Sequence, residues 1–277
     1  MLTDSTFSTI RLLAVDIDGT LLSSNHTVLP EVRRAFADGR AAGLILILAS
    51  ARGPGALKHI MEDLGHAGSC VCFSGAWVGT IDPARSVATV AQELTIPLET
   101  ALAIAGAALA AGLVPSWHTG RTWTVPSMSP YVRLEMHVTS QTPIINEDLA
   151  SAGAPNKILL IGAREILIEV RDDLALRHGD SFDAFFSHET YLEFLPKEAD
   201  KAQAILALAR EEGIGRESIA AVGDAQNDLG MIRAAGLGVA MFNAILEVKQ
   251  AAKWITASND DAGVAKLIDR ILEARRN

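Results

Sequence analysis

The run Leu44-Ile45-Leu46-Ile47-Leu48-Ala49 constrains the fold more than any other stretch, because polar and apolar residues do not alternate along it. A strand with one wet face alternates, and a strand covered on both faces does not. The run therefore predicts a central strand of a parallel sheet with helices above and below. Its neighbours agree: Pro30 suits a first helical position and Gly43 stops that helix just before the run. A second helix over about 55–64 stops at Gly65 and leads to a strand over 69–73. Upstream, Arg11-Leu12-Leu13-Ala14-Val15 reads as the first buried strand. Strand, helix, strand, helix, strand is the order of a parallel sheet with right-handed crossovers.

From about Asp82 the pattern changes. A polar strand, an Ala-rich helix over about 97–111, and a hairpin turning at His118-Thr119-Gly120-Arg121 come first. A strand over 157–161, a helix over about 163–176, and strands near 182–186 and 191–194 follow. This segment is too long for a crossover, so residues 83–187 are expected to form an inserted α+β domain, with 1–82 and 188–277 as the core. The first pattern returns where Asp200 can N-cap a helix ending at Gly213. Strands over 219–222, 238–241 and 254–256, a short helix closed by Gly236, and a last helix over about 261–274 complete the core. The expected fold is α/β, a Rossmann-like parallel-sheet core with an inserted α+β cap domain.

Charge and composition narrow the function. The 277 residues are 49% hydrophobic, which makes the chain globular, and the net charge of −9 without a basic run argues against nucleic acid or an anionic membrane as partner. Cys70 and Cys72, two apart on one strand face, read as small buried hydrophobes in a reducing compartment. The first nine residues lack the basic and apolar regions of a signal peptide, and no apolar run is long enough to span a bilayer. A cytoplasmic protein, monomeric or a small homo-oligomer, is expected.

Candidate chemistry gathers at the carboxyl ends of the expected core strands, where open α/β sheets bind ligands. Asp16 and Asp18 end the first strand, Ser50 ends the second, and Asp224 with Asp228 follow the strand over 219–222. Lys201 opens the helix before that strand. Carboxylates sharing a cleft repel, and a hard divalent cation keeps them ionised; Mg²⁺ fits best, because it accepts carboxylates, waters and phosphate together. A carboxylate beside Mg²⁺ suggests phosphoryl transfer through an aspartyl-phosphate. That chemistry needs an in-line nucleophile, charge neutralisation on phosphorus and a proton for the leaving alkoxide.

The order Asp16-Ile17-Asp18-Gly19-Thr20, Ser50, Lys201 and Gly223-Asp224-Ala225-Gln226-Asn227-Asp228 resembles the four motifs of the haloacid dehalogenase superfamily. The insertion between the second and third motifs, with the tail Gly236-Leu237-Gly238-Val239-Ala240-Met241-Phe242-Asn243-Ala244, resembles its Cof-type, class IIB sugar-phosphate phosphatases. The resemblance implies Asp16 as nucleophile and metal ligand, and Asp18 as general acid and base that also gives its backbone carbonyl to the metal. It implies that Ser50 bonds the phosphoryl oxygens, that Lys201 neutralises them, that Asp224 completes the metal shell with Asp228 as a second metal-side carboxylate, directly or through water, and that Asn227 contacts phosphate. Three departures stand out. Ser50 replaces a frequent Thr, Ser74 stands where relatives often have Asn, and the surroundings of Lys201 leave Lys197 as a rival.

In the insert, Trp117, His118, Arg121, Trp123, Met128, Tyr131, Met136 and His137 concentrate aromatic and Met residues in a chain otherwise poor in aromatics. Most are expected to fill one face of a small sheet. Arg121 or His118, at the hairpin turn, is the candidate contact for the leaving group. The expected activity is Mg²⁺-dependent hydrolysis of a small phosphorylated metabolite. A phosphomutase and a non-catalytic binder of phosphometabolites are the alternatives.

Overall fold

The structure, a computed structural model, describes residues 3–85 and 87–276. After helix α1 (Asp4–Ser8) come β1 (Leu12–Val15), α2 (Pro30–Ala41), β2 (Ile45–Ala49), α3 (Pro54–Leu64), β3 (Gly68–Cys72), β4 (Trp77–Asp82) and β5 (Val87–Glu93). The middle of the chain forms α4 (Leu98–Ala110), β6 (Ser116–His118), β7 (Trp123–Val125), α5 (Pro130–Thr139), β8 (Ile144–Ile145), β9 (Lys157–Ile161), α6 (Arg164–His178), β10 (Phe182–His188) and β11 (Tyr191–Pro196). It ends with α7 (Lys201–Glu211), β12 (Ile219–Gly223), α8 (Leu229–Ala234), β13 (Leu237–Ala240), α9 (Leu246–Ala251), β14 (Trp254–Ile255) and α10 (Gly263–Arg276). No helix among the described residues is long and apolar enough to cross a membrane.

Two compact units result. The first comprises Met1–Ala51, Lys58–Ala91 and Asp200–Asn277; the second comprises Arg52–Leu57 and Gln92–Ala199. The first holds an eight-stranded sheet in the order β14-β13-β12-β1-β2-β3-β4-β5. From β14 to β3 neighbouring strands are parallel, and β4 turns back antiparallel on β3. Every residue of β1 and β12 is buried, as expected of strands packed on both faces. This order sets β12, β1 and β2 side by side, so the residues that follow them leave the sheet along one edge.

The second unit holds a six-stranded sheet in the order β10-β11-β9-β6-β7-β8. Here alternation decides the layers. Ile158 and Leu160 of β9 and Leu192 and Phe194 of β11 pack with Ile104 of α4 and with Leu167 and Leu174 of α6. Trp117 joins that core fully buried, its indole N–H donating to the carbonyl of Gly153 at 2.9 Å. The intervening Lys157 and Glu193 therefore point to the opposite sheet face, away from α4 and α6.

The unit boundaries fall later than the expected 82 and 188. The hairpin of β4 and β5 continues the first sheet, and β11 pairs antiparallel with both β9 and β10, which keeps it in the second. Helix α5 is absent from the sequence expectation, although its start is signalled: Pro130 occupies the first turn and the Ser129 hydroxyl accepts the Val132 N–H at 3.1 Å. Helix α9 is likewise unanticipated.

Candidate active site

Asp16 follows β1 and is buried. The chain then makes one tight turn over Ile17–Leu21, in which Gly19 adopts φ +75°. Only glycine suits this position, because a Cβ there would lie 2.4 Å from Oδ2 of Asp224. Asp224, just after β12, accepts a hydrogen bond from the Thr20 hydroxyl at 2.9 Å. The turn thus brings the end of β1 against the end of β12.

Lys201 enters from the first turn of α7. Asp200 caps that helix, its carboxylate accepting the N–H groups of Ala202 at 2.7 Å and Gln203 at 3.0 Å. The N-terminus of α7 approaches closely because Gly75, at φ +110°, has no side chain: a Cβ there would lie 2.6 Å from the Asp200 backbone. The buried Lys201 Nζ donates to Asp16 Oδ1 at 2.9 Å and to Asp228 Oδ1 at 2.8 Å. Lys197, its rival in the sequence, is exposed and bonds Gly179 and Asp183 instead.

The carboxylates divide the work of holding one another. Asp228 Oδ2 accepts the backbone N–H groups of Asp224 and Ala225 at 3.0 and 3.1 Å, while its Oδ1 faces Lys201. Asp228 is thereby the fixed post to which Lys201 and the β12 loop are tied. Carboxylate oxygens of Asp16, Asp224 and Asp228 lie within 4.8 Å of one another. Burial, then the charge of Asp228, pushes the Asp16 carboxyl well above the usual range, against the pull of Lys201. Burial and Asp228 likewise push Asp224 up to about 6. Burial alone would lower Lys201, but Asp16 and Asp228 outweigh it and raise its pKa. Three carboxylates around one ammonium leave excess negative charge, and their hard oxygen donors suit a divalent cation such as Mg²⁺.

The remaining candidates stand as follows. Asp18 is exposed on the same turn, with His26 Nδ1 4.0 Å from its Oδ1. Ser50 is buried at the end of β2; its N–H donates to Val71 and its carbonyl accepts from the Ser74 N–H at 2.9 Å. Ser74 and its neighbour Phe73 both have positive φ, 54° and 48°, so the loop after β3 is held in a strained form beside Ser50. Asn227 is half-buried in the turn between Asp224 and Asp228. All these residues belong to the first unit.

His118 and Arg121 belong to the second unit. Arg121 is exposed at the β6–β7 turn, whereas His118 is the last residue of β6, buried and stacked on Trp123 at 5.6 Å. Burial, then Lys157, holds the His118 imidazole well below its usual range. Beside it is a polar group that sequence reasoning missed. Lys157 donates to Glu193 at 3.2 Å, both buried, and Glu135 of α5 interacts electrostatically with Lys157, Tyr191, Glu193 and Arg52. The lysine before a strand was visible, but its partner lies on a strand whose register only the folded sheet supplies.

A mainly parallel sheet with an aspartate at the end of its central strand, combined with a second sheet formed by the middle of the chain, is a two-unit α/β architecture. Residues 13–268 match the family model of haloacid dehalogenase-like hydrolases, and the chain belongs to that family. It is similar to YxeH of Bacillus subtilis, 30% identical over 274 residues, 96% of this chain and 99% of YxeH. It is also similar to 5-amino-6-(5-phospho-D-ribitylamino)uracil phosphatase YwtE of that organism, 26% identical over 294 residues, 96% of this chain and 99% of YwtE. Among solved structures, a haloacid dehalogenase-like hydrolase from Bacteroides thetaiotaomicron superposes with a TM-score of 0.87 at 30% identity, covering 95% of this chain and 99% of that one.

Proposed function

We propose that the chain is a Mg²⁺-dependent phosphatase of small phosphorylated metabolites, sugar phosphates foremost, working through an aspartyl-phosphate on Asp16. The observation that carries this reading is the buried Asp16 at the carboxyl end of β1, bonded to Lys201 and grouped with Asp224 and Asp228. The names of two relatives support the substrate class: YwtE is called a 5-amino-6-(5-phospho-D-ribitylamino)uracil phosphatase, and a relative from Serratia proteamaculans an HMP-PP phosphatase.

Asp16, Asp224 and the Asp18 carbonyl would hold the cation, with Asp228 behind them. When bound, the cation supplies positive charge that lets the clustered carboxylates stay ionised and draws the phosphoryl group in. Asp16 attacks phosphorus, the bond from phosphorus to the leaving oxygen breaks, and Asp18 gives that oxygen a proton. Water then attacks the aspartyl-phosphate while Asp18 takes its proton, which releases phosphate and restores Asp16. Lys201 and Ser50 bind the phosphoryl oxygens, and Asn227 adds a polar contact. In the second unit Arg121, exposed at its turn, is a better candidate than the buried His118 for the leaving group.

The test is phosphate release from a panel of sugar and nucleotide phosphates, with Mg²⁺ and with chelator. Release is expected with Mg²⁺ only, falling at least about a thousandfold in Asp16→Asn. Activity that survives this substitution would remove Asp16 as nucleophile.

A further inference from the structure

The tail motif ending in Asn243-Ala244 has no part in the chemistry above, yet Asn243 reaches into the turn that carries Asp18. Its side-chain N–H donates to the Gly19 carbonyl at 2.7 Å, and its side-chain oxygen accepts the N–H of Asn259 at 3.0 Å. Asn259 in turn donates through its buried side chain to the Leu22 carbonyl at 2.9 Å. The loops after β13 and β14 thus grip the turn at two points, Gly19 and Leu22. The loop after β13 is itself tied to the metal-side strand end, because the Ile245 N–H donates to the Asp224 carbonyl at 3.0 Å.

The effect falls on Asp18. Ile17 before it and Thr20 two residues after it are buried, and Thr20 is anchored on Asp224, but the Asp18 side chain itself is exposed. Its direction is set by the backbone of the turn together with its side-chain contacts, His26 at 4.0 Å among them. Asn243 fixes the carbonyl one residue beyond Asp18, at a glycine in the left-handed conformation, and so holds the backbone from which the Asp18 side chain projects. An asparagine is suited to this post because its amide donates and accepts at once, which neither an aspartate nor an aliphatic side chain can do.

We propose that Asn243, backed by Asn259, is a positioning residue for proton transfer by Asp18. The proposal rests on the phosphatase reading given above. Its signature is selectivity for the leaving group. An alkyl phosphate needs its leaving oxygen protonated as the bond breaks, whereas p-nitrophenolate departs without help. A misaimed Asp18 slows the first reaction and spares the second.

The experiment compares single-turnover release of alcohol from an alkyl phosphate and of p-nitrophenolate from p-nitrophenyl phosphate, in the wild type, Asn243→Ala, Asn259→Ala and Asp260→Ala. Asp260 holds the nearby Ser24 N–H at 2.8 Å and serves as the control for loosening the same loop. The expected result for Asn243→Ala is a fall of about tenfold or more with the alkyl phosphate and less than about threefold with p-nitrophenyl phosphate. Asn259→Ala shows the same pattern more weakly, and Asp260→Ala leaves the ratio of the two rates unchanged. An equal fall on both substrates, or no fall on either, would overturn the proposal. So would a lowered melting temperature in Asn243→Ala with an unchanged ratio. If the wild type releases neither product, the phosphatase reading itself fails and the positioning role fails with it.

Discussion

Each unit buries a lysine against carboxylate, and the two settings differ in their balance of charge. In the first, Lys201 meets Asp16 and Asp228 with Asp224 close by, one ammonium among three carboxylates. In the second, Lys157 meets Glu193, and Glu135 interacts with both Lys157 and Arg52, two cations against two acids. A balanced buried cluster is complete in itself and serves to fix geometry, here the register of β9 against β11 and the seat of α5. An unbalanced one asks for a further positive charge. On the proposed reading, the difference separates a cluster that would recruit a cation and a phosphoryl group from one whose charges balance among themselves.

The largest way to break this comparison is Lys201→Met. It leaves Asp16 and Asp228 without their ammonium, so phosphate release should fall about a hundredfold to a thousandfold, and urea unfolding should show a loss of about 3–5 kcal/mol. Near-wild-type turnover would place the chemistry elsewhere.

Glu193→Gln probes the balanced side. It removes one of the two acids that interact with Lys157, for a stability loss of about 1–3 kcal/mol, while pairing it with Lys157→Met restores stability to within about 1 kcal/mol. Turnover of p-nitrophenyl phosphate should stay within about threefold in both variants, since they remove no group from the first unit. A large activity loss in the double variant would mean that the second cluster takes part in the chemistry.

The smallest effect sharpens the rule that partners, not burial, keep a cation charged. His66 is buried, and desolvation, then Arg40, lowers its pKa to about 4. The folded state therefore binds fewer protons than the unfolded state as pH falls from about 6.5, and stability drops across that window, by up to about 3 kcal/mol at pH 4. His66→Gln should flatten this part of the stability curve relative to wild type, as read by urea unfolding at pH 7 and pH 4.5. A parallel pair of curves would show that His66 is solvated in the folded protein.

Much of the first unit could be read from the chain because its signals are local. Unalternating runs such as 44–49 mark doubly covered strands wherever their partners lie, and strand order places Asp16, Ser50 and Asp224 at one edge. Lys201 was legible as a cation in the first turn of a helix, where the dipole disfavours it. The second unit hides more. The boundary near 188 failed to include β11, because a strand of alternating character belongs to whichever sheet completes its faces. Helix α5 was obscured by Val132, Val138 and aromatic neighbours, and the pairing of Lys157 with Glu193 depends on register, which no single segment encodes. Asn243 was visible as part of a motif, but its role required knowing that the loop after β13 returns to Gly19.

Gly19 carries one consequence for how such chains diverge. The site at position 19 is a gap the width of a hydrogen atom, closed on one side by the carboxylate of Asp224. A side chain gained there meets that carboxylate and a strained left-handed backbone at once, so both Asp224 and the turn are disturbed together. The invariance expected of that glycine is thus set by the clearance between two strand ends far apart in the chain.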